Sequence, residues 1–213
     1  MKHIHIILFS ALISICSTFA YTPLMYFFVI DASASVSSDD FTLGNRAVAL
    51  HLEVLHERSK SRPNQPAELA GAAWFGGNQE YVPTAFFNCS YESKIKQLQY
   101  VLWNAGHPQC KATGIYSAIA YSTVLLIEEQ KKLSTTYPKM LIVITDGTDN
   151  SSPADHKSLV RQVYPNNQII LFIIAVGSGA DVNEFESIAT KIIPISGYGE
   201  LAAALLIASE AVQ

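Results

Sequence analysis

Met25-Tyr26-Phe27-Phe28-Val29-Ile30-Asp31-Ala32-Ser33-Ala34-Ser35 is an unbroken apolar run that stops on an acid and continues as alternating small and hydroxylated residues. Six apolar residues with no polar alternation fit a strand buried on both faces, as in a parallel sheet. The D-x-S-x-S segment then reads as a loop entering a helix. Asp39 and Asp40 fall in its first turn, where the helix dipole favours anions, and Phe41, Val48, Ala49, Leu52 and Leu55 recur at helical spacing.

The same pattern repeats along the chain. Residues 69–75 and 82–87 read as strands joined by the hairpin-like turn Gly76-Gly77-Asn78. Residues 94–103 and 115–128 read as helices, and 139–145 as a second fully apolar strand. Ser152-Pro153-Ala154-Asp155 has the form of a helix start, with Ser152 as N-cap and proline in the first turn. A third apolar strand covers 169–176, followed by a helix over 181–190, a short strand over 192–195 and a last helix over 200–211. Apolar strands alternating with helices predict an α/β fold: a doubly wound, mostly parallel sheet with one antiparallel edge strand and helices on both faces. Ligands of such sheets bind at the carboxyl ends of the strands.

Composition agrees with one globular domain. The 213 residues are 49% hydrophobic and 15% charged, with a mean hydropathy of +0.21. Part of that surplus lies in residues 1–20, where Lys2 and His3 precede an apolar stretch ending in small residues, the form of a secretory signal peptide. This predicts a mature domain over 21–213, secreted and extracellular. No later segment has the ~18 uninterrupted apolar residues of a spanning helix. The formal net charge of −4, more negative once Lys2 is removed, argues against nucleic acid as a partner. Cys89 and Cys110 form an even pair in an exported chain, which predicts one disulfide. Asn88-Cys89-Ser90 and Asn150-Ser151-Ser152 are glycosylation sequons, the second made less favourable by Pro153.

Chemistry concentrates where two apolar strands end. The first ends in Asp31, Ser33 and Ser35, the second in Thr145-Asp146-Gly147. Neighbouring strands would bring the two carboxylates together, where they repel unless a proton or cation lies between them. Serine hydroxyls complete an all-oxygen set suited to a hard cation, magnesium first, with manganese or calcium as alternatives.

These residues resemble the metal-ion-dependent adhesion site of von Willebrand factor type A domains. Thr113 matches the family's threonine ahead of a helix, with Ala118 and Ile119 at the positions its pattern asks for. The resemblance covers the chain from about Thr22 onward and implies metal ligation by Asp31, Ser33, Ser35, Thr113 and Asp146. Ala32 replaces a glycine common in the family, and Cys110-Lys111-Ala112 replaces a glycine-rich lead-in. The function implied is a secreted adhesion module. In it a divalent cation is completed by a Glu or Asp carboxylate of an extracellular protein or matrix ligand, and no bond is cleaved. Rearrangement of these loops is linked in the family to displacement of the last helix. With that helix ending at Gln213, the expectation is an affinity that is fixed or set by a partner. Two other classes stay open: a structural extracellular glycoprotein with little metal dependence, and an α/β hydrolase, which the absence of a G-x-S-x-G elbow disfavours.

Overall fold

Strand β1 (Met25–Asp31) has all seven residues buried, because it lies in the middle of the sheet with helices on both sides. Tyr26, Phe28 and Ile30 point into one core layer and Met25, Phe27 and Val29 into the other. The computed structural model describes residues 22–77, 80–164 and 169–211; the predicted signal peptide over 1–20 lies outside the described residues. Helix α1 (Ser38–Lys60) follows β1, started by Ser37, whose hydroxyl accepts the Asp40 N–H. Then come β2 (Leu69–Phe75), β3 (Tyr81–Pro83), β4 (Phe87–Asn88), α2 (Glu92–Trp103) and α3 (Ile115–Lys131). The chain closes with β5 (Lys139–Thr145), α4 (Ala154–Val163), β6 (Ile169–Val176), α5 (Val182–Phe185), β7 (Lys191–Ile195) and α6 (Leu201–Glu210).

The strand order is β3-β2-β1-β5-β6-β7, with β4 also paired to β2. β2, β1, β5, β6 and β7 run parallel, and β3 and β4 run antiparallel to β2. From β1 the chain winds outward one way through β2 and later the other way through β5, β6 and β7. The β1/β5 boundary is therefore the topological switch point, where a crevice opens beyond the carboxyl ends of the strands. Ile30 stands opposite Ile144 across that boundary. One core layer holds Phe41, Val48 and Leu52 of α1, Leu98 of α2 and Leu201 and Leu205 of α6; the other holds Ile115, Ile119 and Leu126 of α3 and Val160 of α4.

Four sequence expectations are corrected. The strand expected over 82–87 is split in two: Thr84 takes the ladder position, its N–H donating to Ala72 O and its hydroxyl accepting the Ala72 N–H, so the chain bulges at 84–86 before rejoining as β4. The helix expected over 181–190 stops after Phe185, because Thr190 is captured at the sheet, its N–H donating to Leu171 O. Ser152 does not cap α4; Pro153 occupies the N-cap, and the Ser152 hydroxyl is held by Asp149 and the Ser117 N–H instead.

The fourth concerns the disulfide. Cys89 and Cys110 are both free and buried. Cys89 follows the residue paired with Leu69 at the start of β2, whereas Cys110 packs on Gly76, just past its end. A seven-residue strand separates them by roughly 20 Å, against a Cα separation of about 7 Å at most for a disulfide. Burial pushes the Cys110 thiol up to about 11 and raises that of Cys89 still further.

Candidate metal site

The site begins with register. Because Ile30 pairs with Ile144, Asp31 and Thr145 leave the sheet side by side. Asp31 is fully buried; its Oδ1 accepts the Ser33 N–H at 2.8 Å and its Oδ2 accepts the Thr145 hydroxyl at 2.6 Å. Burial pushes its carboxyl up to about 6, against the opposing hydrogen bonds from Thr145 and Ser33 and with a smaller upward push from the charge of Asp146. Asp146 is half-buried. Burial raises its pKa as well, opposed by the hydrogen bond from Ser35.

The hydroxyls form a chain between the acids. Ser33 Oγ and Ser35 Oγ lie 3.0 Å apart, and the Ser35 hydroxyl donates to Asp146 Oδ1 at 2.8 Å. Thr113 joins from a third loop. Its N–H donates to Asn150 Oδ1 at 2.9 Å, and its carbonyl accepts the N–H groups of Asn150 at 3.0 Å and Ser151 at 3.2 Å. The loop before it is pinned to the serine loop by the bridge between Ser33 and Cys110, with the Cys110 N–H on Ala32 O. The five sequence-predicted residues thus meet at one edge of the sheet, Asp31 at the end of β1 and Ser33, Ser35, Thr113 and Asp146 on loops joined there.

The fit to a cation can be tested on Gly147. A Cβ there would stand 3.6 Å from Thr113 Oγ1 and 3.8 Å from Ser35 Oγ, so the hydroxyls converge on space that glycine leaves open. Among the described residues, neither acid forms an ion pair; the buried pairs join Arg58 to Glu68 and Lys157 to Asp149. Two carboxylates of raised pKa, neutral oxygens and no balancing base make a donor set for a hard cation. Among the described residues, no cluster of three or more His, Cys, Asp or Glu is arranged to hold a metal, so a cation here depends on the hydroxyls as much as on the acids.

Sequence reasoning missed three supporting residues. Thr145 holds Asp31 and also accepts the Gly147 N–H at 3.2 Å; the signal was a hydroxyl ending an apolar strand. Asn150, predicted only as a sequon, clamps Thr113 and is exposed at the rim. Gly179 lies under Asp146, where a Cβ would come within 2.5 Å of the Asp146 carbonyl oxygen; no local pattern announces it. Asn88, the other sequon residue, is half-buried in β4, and its carboxamide oxygen accepts the Ser90 N–H.

A doubly wound sheet with this loop constellation at its switch point defines the class, and sequence comparison supplies the family. The chain belongs to the von Willebrand factor type A domain family, whose model matches residues 27–193. Three solved structures are similar in fold. Proximal thread matrix protein 1 from the mussel byssus, with a zinc-occupied metal-ion-dependent adhesion site motif, aligns at 15% identity and a TM-score of 0.71, covering 88% of this chain and 47% of that one. A von Willebrand factor type A protein from Catenulispora acidiphila aligns at 14% identity and 0.69, covering 86% and 41%. The pilus adhesin SpaC from Lactobacillus rhamnosus GG, in its open conformation, aligns at 11% identity and 0.69, covering 91% and 30%. The chain spans less than half the length of each. No curated protein matches the sequence.

Proposed function

We propose that this domain is an extracellular binding module that recognises a protein partner through a divalent cation, without cleaving a bond. The observation that carries this reading is the hydroxyl chain Ser33–Ser35–Asp146 beside a buried Asp31 that, among the described residues, no basic side chain neutralises. Asp31, Ser33, Ser35, Thr113 and Asp146 would hold the cation, magnesium in the first instance. Bound there, it would supply a Lewis-acidic centre that accepts a partner's Glu or Asp carboxylate. Thr145 and the Ser33 N–H orient Asp31, Asn150 fixes Thr113, and Gly147 keeps the centre open. A hollow lined by Ala34, Val36, Ser37, Ser38, His107 and Gln109 opens beside the serine loop and offers surface to the chain carrying that carboxylate. Supporting points are membership of the family and likeness in fold to a byssal matrix protein and a pilus adhesin.

Export fits the leader-like residues 1–20, and no helix among the described residues is long and apolar enough to cross a membrane. A glycan on Asn150 would crowd the rim of the site, whereas one on Asn88 would lie at the far end of β2. Binding rather than hydrolysis is favoured by the setting of the serines. Ser33 is hydrogen-bonded within its own loop, and Ser117, which does meet His156 at 2.9 Å, is 1% exposed and closed to a substrate.

The test is a pull-down from extracellular matrix extract in magnesium and in chelator, with Asp146→Ala as control. Capture that needs both magnesium and Asp146 supports the reading. Capture that persists in chelator points to a structural glycoprotein instead, and turnover of an ester panel abolished by Ser33→Ala would overturn the binding assignment.

A further inference from the structure

β7 ends at the same edge of the sheet as β1 and β5, and the chain turns there through a short 3-10 helix, Tyr198–Glu200, into α6. That turn is fastened by Glu200, whose carboxylate accepts the Ser196 N–H at 3.1 Å and the Ser196 hydroxyl. The Tyr198 ring lies across α1 at Gly44. A Cβ on Gly44 would stand 3.4 Å from Tyr198 Cε1 and 3.7 Å from Ile30 Cγ2, so the ring is seated against α1 beside the residue that precedes Asp31. Tyr198 is 5% exposed, and among the described residues its buried hydroxyl has no hydrogen-bond partner.

A phenylalanine would fill the same space without burying an unpaired polar group, and such a group is destabilising. The hydroxyl is therefore a donor held ready for something. The ring stands between Gly44, one helical turn beyond Asp40 on α1, and Ile30, the residue before Asp31 on β1. Burial first, then the negative charges of Asp31, Asp146 and Asp40, raise its pKa far above the ordinary tyrosine range, so it keeps its proton and has a donor to offer them. Around a hard cation, such donors orient the oxygen ligands and the waters that complete the shell.

We propose that Tyr198 is a positioning residue of the cation site, its buried hydroxyl donating to the oxygen shell around Asp31 and Asp146 when a divalent cation is bound. This rests on the cation reading of that site. It places a fixed polar link between the entry to α6 and the loops of Asp31 and Asp146, supplied by a residue outside the adhesion-site motif.

The test compares wild type, Tyr198→Phe and Asp146→Ala by magnesium titration calorimetry and by thermal denaturation in chelator and in saturating magnesium. Tyr198→Phe keeps the ring, so the expected result is a melting temperature in chelator equal to or above wild type, with magnesium affinity about tenfold weaker. Magnesium affinity equal to wild type overturns the proposal. So does a variant that no longer folds in chelator, because the hydroxyl then serves packing. The two readings fail separately: magnesium binding absent from wild type, or unchanged in Asp146→Ala, removes the site itself, whereas binding lost only in Asp146→Ala removes only the role of Tyr198.

Discussion

The cation reading makes Asp31→Asn a stabilising substitution in the metal-free protein. The Asp31 carboxyl ordinarily titrates at 3.8 and in the fold is pushed up to about 6. With the folded value above the unfolded one, the folded state holds its proton more tightly. Stability from this group is fully present below pH ~4 and is lost as pH rises through ~6, a loss of about 3 kcal/mol at ~1.4 kcal/mol per unit. Asparagine removes that loss. It keeps a carbonyl oxygen for the Ser33 N–H, but the Thr145 hydroxyl, which now donates to Oδ2, would face an amide N–H, a cost of about 1 kcal/mol. The net expectation at pH 7 in chelator is a gain of about 2 kcal/mol, or roughly 4–8 °C in Tm for a domain of this size. The gain falls to zero near pH ~4.5 and turns into a loss approaching about 1 kcal/mol in more acid solution, where only the Thr145 cost remains. Urea denaturation of both proteins in chelator at pH 7 and pH 4.5, repeated in magnesium at pH 7, reads all of this, and contributions common to both chains cancel in the difference. Magnesium should stabilise wild type and leave the variant unmoved. A less stable asparagine variant at pH 7 in chelator would refute the reasoning, because it would mean that the carboxylate is held by favourable contacts rather than against its desolvation.

The other expectations use the same kind of measurement. Burial lowers the His51 pKa to about 4, below its unfolded value, so the fold loses stability as pH falls from ~6.5 toward ~4, by up to about 3 kcal/mol; His51→Leu should flatten that acid limb in a urea series. Thr145→Val strips the buried Asp31 of a donor and the Gly147 N–H of an acceptor. It should cost about 1–3 kcal/mol by denaturation and weaken magnesium binding by calorimetry. Gly179→Ala drives a methyl group into the Asp146 carbonyl; a loss of about 1–3 kcal/mol is expected, and a variant as stable as wild type would show that the loop has room to give.

The fold was legible because residues 25–30 of β1, 140–144 of β5 and all of β6 are unbroken apolar runs, which only a sheet covered on both faces requires, and because each strand is followed by a helix-forming segment. Asp31 and Asp146 were legible for the same reason: a charge closing such a strand has to emerge at its end. What escaped was everything fixed by distance across the sheet rather than along the chain. Cys89 and Cys110 have spacing suited to a disulfide, yet β2 runs its full length between them. Gly179 and Tyr198 reach the site from loops after β6 and β7, and their roles depend on strand order, which no local pattern encodes. Ser152 has the sequence context of an N-cap but is diverted to Asp149 in its own loop, while its oxygen accepts the Ser117 N–H of α3 packed beside it.

These observations bear on why Asp31 is an acid at all. Its position is central, fully buried and bracketed by Ile30 and Ala32, where an apolar or amide side chain would cost less. The charge is retained against a penalty of about 3 kcal/mol, a large part of the ~5–15 kcal/mol that holds a typical domain together. Structural ion pairs explain such cases elsewhere, but among the described residues no base approaches it. The hydroxyls of Ser33, Ser35 and Thr113 are neutral and cannot compensate a negative charge, though they can complete a shell around a positive one. A cation that relieves the repulsion of Asp31 and Asp146 therefore recovers the stability that their burial removes. Under the proposed function, loading the site and stiffening the loops offered to a partner would be one thermodynamic event, so partner affinity and thermal stability should respond to magnesium over the same concentration range.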